Sequence, residues 1–326
     1  MTLTELRYIV ALAQHRHFGR AANACFVSQP TLSIAVRKLE DELGVALFER
    51  RRNEVALTET GARVVAQAQR VLEEAEELKR LAKTGGNELS IPLTLGAIYT
   101  VGPYLLPHLI PRLHDMAPGM GVVVREGYTH ELIDSLRSGL LDVLILSLPV
   151  NEPGVQVEPL YEEPFVLTIP SGHPWAARIS VPAAELSTTG NVLLLSAGNC
   201  FREQVLQACP HCNEPPREGS LSQTLEGSSL ETIRHMVASG LGITVLPASA
   251  IGPGASLNGL LEFRPFTDPA PSRRIALVWR SSFTRLTAVR AVADAVRACR
   301  LPWMRPLAPQ PAAAAGRAGD DLLRTG

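Results

Sequence analysis

The chain has 326 residues, 46% of them hydrophobic and 19% charged, with a net charge of −1. That length exceeds one compact core and predicts two or three domains, while the composition excludes a disordered polyelectrolyte or a membrane-embedded protein. The opening Met1-Thr2-Leu3-Thr4-Glu5 lacks a basic stretch followed by an apolar one, and no apolar run is long enough to span a bilayer, so a cytoplasmic location is expected.

Residues 1–70 hold ten Arg/Lys against seven Asp/Glu, a basic excess that favours a polyanionic partner at this end. Thr4 is the expected cap of a first helix, in which Leu6, Ile9, Val10 and Ala13 recur on one face. Phe18, Ala21, Ala22 and Cys25 form the stripe of a short second helix. Ser28 then caps a third, with Pro30 in its first turn, where the missing N–H costs nothing. Leu32, Ala35, Val36 and Leu39 face inward, leaving Pro30, Thr31, Ser33, Ile34, Arg37 and Lys38 outward. Hydroxyls and Gln29 suit base edges, and Arg37 and Lys38 suit phosphates, as on the recognition helix of a helix-turn-helix. The solvated face of an ordinary three-helix bundle has the same periodicity.

Gly44 ends this helix, and residues 46–52 and 55–57 read as two strands around Asn53-Glu54, a hairpin wing. Arg50, Arg51 and Arg52 would lie along the phosphate backbone. Thr58 opens a long helix whose Val64, Ala68, Val71, Ala75, Leu78 and Ala82 alternate spacings of four and three, a seam suited to a partner helix.

Phe18-Gly19-Arg20-Ala21-Ala22, Ser28-Gln29-Pro30-Thr31-Leu32-Ser33 and Leu39-Glu40-Asp41-Glu42-Leu43-Gly44-Val45-Ala46-Leu47-Phe48-Glu49-Arg50 together resemble the winged helix-turn-helix of LysR-type transcriptional regulators. The resemblance implies a DNA-binding domain over 1–58, a dimerising linker helix over 59–84 and a hinge over 85–90. It further implies a homodimer or homotetramer on double-stranded promoter DNA, with RNA polymerase as partner and the bacterial nucleoid as its place in the cytoplasm.

Beyond the hinge the pattern alternates. Leu93–Ala97, Val122–Val124 and Val143–Leu148 read as strands separated by helices over 103–114 and 130–138, βαβ arithmetic that implies a parallel sheet. Helix 230–239, strands Ile243–Leu246 and Ile275–Trp279 and helix 284–299 would complete two lobes around a cleft. The fold class is α/β, and the LysR resemblance implies that residues 91–301 form a two-lobed sensor domain like a type 2 periplasmic binding protein. Residues 302–326, rich in Pro, Ala and Gly, read as a disordered tail.

An odd cysteine count argues against a structural disulfide framework. Cys25 and Cys299 sit at helix positions where a structural role is the rule. Cys200 follows the loop Ser196-Ala197-Gly198-Asn199 and opens a helical stretch carrying Arg202, a setting that favours the thiolate that peroxide attacks. The product is a sulfenic acid, which a second thiol can trap. If 200–209 is helical, the Cα atoms of Cys200 and Cys209 lie about 13 Å apart on opposite faces. A disulfide needs about 7 Å or less, so the pair joins only if the helix melts or moves.

Spacing alone also fits two unrelated thiols. Gly198-Asn199-Cys200-Phe201-Arg202-Glu203-Gln204, Thr100-Val101-Gly102-Pro103-Tyr104-Leu105-Leu106-Pro107, Thr129-His130 and Gly242-Ile243-Thr244-Val245-Leu246-Pro247 resemble the peroxide-sensing branch of the LysR family. That resemblance implies Cys200 as the peroxidatic residue, Cys209 as the resolving one, and Thr100, Thr129, His130 and Arg273 around the peroxide; no cofactor, metal or enzymatic activity is implied. Asn199 stands where the branch commonly has histidine, and Cys212 is extra. Cys209-Pro210-His211-Cys212 reproduces a motif of thiol oxidants, but follows a helix where that motif follows a strand. Cys209, His211 and Cys212 fall one short of a structural zinc site. Three readings stay open: a peroxide sensor, a LysR-type regulator of a small metabolite in the interlobe cleft, and a thiol oxidoreductase.

Overall fold

A computed structural model describes residues 1–51, 54–84, 88–189, 192–209, 212, 227 and 229–307. The N-terminal domain comprises α1 (Leu3–His15), α2 (Phe18–Ala24), α3 (Gln29–Leu43), the hairpin β1 (Phe48–Arg51) with β2 (Glu54–Leu57), and α4 (Glu59–Thr84). Thr2, not Thr4, caps α1: its hydroxyl accepts the Glu5 N–H at 3.2 Å and its own N–H donates to the Glu5 carboxylate at 2.8 Å. The reason is spacing, since only Thr2 has a glutamate three residues on to close a capping box. Ser28 caps α3, and Gly44 ends it with φ +68°, a conformation that favours glycine. Leu6, Ile9, Leu12, Ala21, Leu32, Val36, Leu39 and Leu47 form the core of the domain. Cys25 lies just past α2, half-buried at its C-cap and packed against this core.

The Thr58 hydroxyl accepts the Gly61 N–H at 2.8 Å and so caps α4. Of the expected seam, Ala68 and Val64 pack into the core of their own domain, whereas Val71 and Leu78 remain exposed. The seam therefore serves two surfaces in succession.

The sensor domain opens with β3 (Leu93–Ile98), α5 (Gly102–Met116), β4 (Val122–Gly127), α6 (Thr129–Arg137) and β5 (Val143–Ser147), with β3 parallel to β4 and β5. Then β6 (Val155–Pro170) carries the chain into the second lobe, built on α7 (Leu186–Thr189), β7 (Val192–Leu193), α8 (Cys200–Ala208), α9 (Leu230–Ala238), β8 (Ile243–Pro247) and β9 (Leu261–Pro265). The chain returns through β10 (Ser272–Arg280) to α10 (Leu286–Ala298) and β11 (Arg305–Pro306). The strand order β4-β3-β5-β10-β6-β8-β7 is mixed rather than all parallel, because β10 runs antiparallel to both β5 and β6.

The long strand β6 joins the lobes: Leu160 and Tyr161 belong to one core, Phe165, Leu167 and Ile169 to the other. Its sequence hides it, since Glu158, Pro159, Glu162, Glu163 and Pro164 interrupt any alternation. A bulge opposite Ile275/Ala276 accommodates the proline segment.

The folded chain also runs past the expected boundary at 302. Trp303 packs edge-on against Tyr161, with ring centroids 5.7 Å apart, and β11 pairs with β6, so the apolar ring and a strand edge hold what composition assigned to a tail. Residues 308–326 of that tail lie outside the described residues, as do 85–87 of the expected hinge. The sensor side of the hinge is pinned by buried Arg285, which donates to the carbonyls of Glu88 (3.0 Å), Ile91 (2.7 Å) and Pro92 (3.0 Å). Glu73 of α4 pairs with Arg280 Nε at 2.6 Å, tying the linker helix to the first lobe.

Candidate redox site and nucleic-acid interface

The loop before α8 needs its glycine: Gly198 has φ +92°, which side-chain-bearing residues avoid. Asn199 holds the N-cap position, but its amide turns back to donate to the Ser196 carbonyl at 3.1 Å, so no side chain caps α8. Cys200 is the first helical residue, half-buried against the core of the first lobe. Beside it Thr100, Tyr128, Thr129, Gly198 and Asn199, with Ile98, Tyr99 and Gly127, enclose a cavity of about 10 Å³, space for one water-sized molecule.

Thr100 is buried and fixed from behind. Arg273 donates to its hydroxyl at 2.8 Å and to its carbonyl at 2.9 Å, and pairs through Nε with Glu163 at 2.7 Å. Both side chains of that pair are fully buried; the other Glu163 oxygen accepts the Ser249 N–H at 2.7 Å. The Arg273 guanidinium also lies 5.1 Å from the Phe201 ring centroid, and Phe201 meets Phe165 edge-on at 5.0 Å. The first turn of α8 thus rests on a buried ionic and aromatic support that spans both lobes.

One expectation needs correction. His130 does not reach the cavity: it is exposed and stacks on Tyr128, with ring centroids 6.0 Å apart, because the first turn of α6 points it outward. Arg202 donates to the Leu195 carbonyl at 2.8 Å, which ties α8 to the strand end before it. Arg273 does not line the cavity; it fixes Thr100, which does. Sequence reasoning missed Tyr99 and Tyr128, which carry no signal of a site individually.

At the other end Cys209 follows the last helical residue, buried in the core of the second lobe, with its N–H donating to the Val205 carbonyl at 2.9 Å. It is disulfide-bonded to Cys212, with a Cα separation of 5.6 Å, while Cys200 is a free thiol. The helical stretch that sequence geometry required between Cys200 and Cys209 is present. Burial pushes the Cys25 and Cys299 thiols up from their ordinary value, and Cys299 donates to the Ala295 carbonyl at 3.3 Å. Among the described residues no cluster of three or more His, Cys, Asp or Glu is placed to hold a metal; His211 lies outside them.

On α3, Gln29, Pro30, Thr31, Arg37 and Lys38 are exposed and Ser33 half-buried, on the face opposite Leu32, Val36 and Leu39. Lys38 Nζ pairs with Glu5 at 3.1 Å, and the ammonium holds the Glu5 carboxyl below its usual range. Arg50 and Arg51 lie on β1; their side chains, like Arg52, fall outside the described residues. Phe26, at the turn before α3, is 96% exposed with φ +56°, an apolar protrusion beside the polar face that periodicity did not single out.

A model of the bacterial regulatory helix-turn-helix protein, lysR family, matches residues 3–62, and one of the LysR substrate binding domain matches 86–300. The DNA-binding transcriptional dual regulator OxyR of Escherichia coli K12 is 45% identical over 300 residues, covering 91% of this chain and 95% of that protein. The chain belongs to the OxyR branch of the LysR family. Among solved OxyR structures, a full-length cysteine-to-aspartate variant from Pseudomonas aeruginosa is 53% identical, with a TM-score of 0.72 over 92% of this chain and 98% of that one. An H2O2-bound OxyR mutant from Corynebacterium glutamicum is 34% identical, with a TM-score of 0.60 over 91% and 94% of the two chains. Membership of the OxyR branch agrees with the winged helix-turn-helix and two-lobed sensor described above.

Proposed function

We propose that this regulator senses hydrogen peroxide at Cys200, joins Cys200 to Cys209 in a disulfide, and thereby changes its binding to promoter DNA and activates antioxidant genes. The observation that carries this reading is the cavity of about 10 Å³ against Cys200, too small for a metabolite and lined by Thr100 and Thr129. The thiolate attacks one peroxide oxygen, the O–O bond breaks, and the departing hydroxide takes a proton to leave as water. Cys200 becomes a sulfenic acid; a free Cys209 thiol then displaces its hydroxyl, forming the S–S bond and a second water.

Because α8 separates the two residues, the disulfide forms only as α8 unwinds, which makes oxidation a conformational event. Thr100 and Thr129 would hold the peroxide oxygens, with Arg273 positioning Thr100. At the far end Gln29, Pro30, Thr31, Ser33, Arg37 and Lys38 of α3, with Arg50 and Arg51 of the wing, would meet a half-site. The exposed Val71 and Leu78 of α4 support a homodimer or homotetramer. The proposed setting is the nucleoid of a bacterial cytoplasm, with RNA polymerase as partner; the protein acts as a regulator, not an enzyme.

A groove of about 680 Å³, lined by Glu162, Gln204, Gln207, Ser272 and Arg274 among others, favours the second reading, a small polar metabolite between the lobes. One experiment separates the two. Reduced full-length protein given one equivalent of peroxide is expected to yield Cys200 linked to Cys209 and an altered promoter footprint, both lost in Cys200→Ser. A Cys200 that stays unmodified at every time after mild peroxide sinks the redox reading.

A further inference from the structure

The disulfide between Cys209 and Cys212 leaves α8 intact. The Cys209 N–H still donates to the Val205 carbonyl at 2.9 Å, and the Cys212 N–H donates to the Cys209 carbonyl at 3.1 Å, so the bond sits in a short turn appended to the helix. Around it every support of α8 is in place: Phe201 against Arg273, Gln204 donating to Ser147 Oγ at 2.7 Å and to the Leu148 carbonyl at 3.1 Å, and Cys200 a free thiol. A bond from Cys209 to Cys200 is incompatible with that helix, whereas a bond from Cys209 to Cys212 is part of the same fold.

We propose that Cys212 discharges the Cys200–Cys209 disulfide by thiol–disulfide exchange, handing the oxidation on to a Cys209–Cys212 bond and returning Cys200 as a thiol. The inference rests on the peroxide reading above. In the step, the Cys212 thiolate attacks Cys209 Sγ, the Cys209–Cys212 bond forms as the Cys200–Cys209 bond breaks, and Cys200 leaves as a thiolate that takes up the proton Cys212 lost. No oxidant or reductant is consumed, and the number of disulfides is unchanged. Two properties drive it forward. Cys212 is tethered three residues from its target, so the attack is intramolecular whether or not α8 is folded. The product allows α8 to refold onto Arg273, Ser147 and Leu148, contacts that the reactant forfeits.

The consequence is a self-limiting signal. While the Cys209–Cys212 bond lasts, Cys209 has no thiol to offer, so a second peroxide oxidises Cys200 only as far as sulfenic acid. The sensor remains refractory until an external dithiol reduces the terminal pair.

Trypsin makes the relay readable. Cleavage after Arg178, Arg202 and Arg217 puts Cys200 on the peptide 179–202 and both Cys209 and Cys212 on 203–217. Full-length protein, reduced and desalted, is given one equivalent of peroxide, quenched in acid at intervals, alkylated, digested and weighed. Wild type is expected to show cross-linked 179–202/203–217 rising and then decaying into 203–217 lacking two hydrogens, with Cys200 alkylated. In Cys212→Ser the cross-link should persist at least about tenfold longer. Equal persistence in wild type and Cys212→Ser overturns the relay, as does Cys200→Ser forming the internal disulfide at the wild-type rate, which would mean direct oxidation of the pair. If Cys200 stays a thiol in every sample, the peroxide reading has failed and the relay falls with it.

Discussion

The first turn of α8 and the residues just past its end are held by different physics. Cys200 and Phe201 rest on the Arg273–Glu163 pair and the Phe165 ring, a polar and aromatic support shared by both lobes. Cys209 is held by an apolar core and a covalent bond to Cys212. The first anchorage is broken by motion of the helix and the second by reduction, so the two ends respond to different stimuli. A redox switch built this way couples them: the helix cannot move toward a Cys200–Cys209 bond until the distal disulfide is open, and the proximal support must then be given up.

The largest effect should come from the proximal support. Arg273→Met removes the guanidinium and leaves Glu163 charged and buried, a change that costs about 3–5 kcal/mol. Urea unfolding should show this loss, and Arg273→Met combined with Glu163→Gln should recover much of it, because no unpaired charge then remains. A single variant losing less than about 1 kcal/mol would mean the proximal end is held mainly by its rings.

A smaller effect is expected midway along α8. Gln204→Ala deletes the two hydrogen bonds to Ser147 and Leu148 at the edge of the first lobe, worth about 1–2 kcal/mol together. Since those bonds are lost when α8 unwinds, the variant should form the Cys200–Cys209 disulfide faster, by up to about tenfold, in stopped-time thiol mapping. An unchanged rate would place the barrier wholly at the distal end.

How much of this was legible in the sequence differs between the halves for a physical reason. Helix caps and apolar stripes are short-range, so Ser28-Pro30, Gly44 and the Leu32-Val36-Leu39 face marked α3 and its outward residues directly. The βαβαβ start of the sensor was equally plain. In contrast, β6 carries three prolines and three glutamates, and its status as a strand depends on β10 and a bulge far along the chain. The cavity draws on residues near 100, 128 and 198, and only resemblance linked Thr100 and Thr129 to Cys200. Resemblance also drew in His130, where the direction of one helical turn decided otherwise. The Cys212 thiol was visible as an extra residue, but which partner it takes is a matter of where α8 ends.

The smallest predicted effect concerns a contact between the lobes outside α8. Tyr104 on α5 of the first lobe donates its hydroxyl to Glu231 on α9 of the second at 3.1 Å, a clasp between the lobes. Burial, and then the Glu231 charge, push the phenol well above its ordinary value of 10.0. The folded protein therefore holds this proton more tightly than the unfolded chain does. Its stabilising contribution is complete below the unfolded value and is lost as pH rises toward and through the folded one. Tyr104→Phe should cost about 0.5–1 kcal/mol at neutral pH, as expected for one partly exposed hydrogen bond, and should flatten the alkaline fall in stability. Tyr161, buried in the first lobe and raised for the same cause, keeps part of that fall in both proteins, so the informative quantity is the difference between their curves. Parallel curves above pH 10 would show that the Tyr104–Glu231 clasp adds nothing to the strands β6 and β10 and the Gln204 hydrogen bonds that also join the lobes.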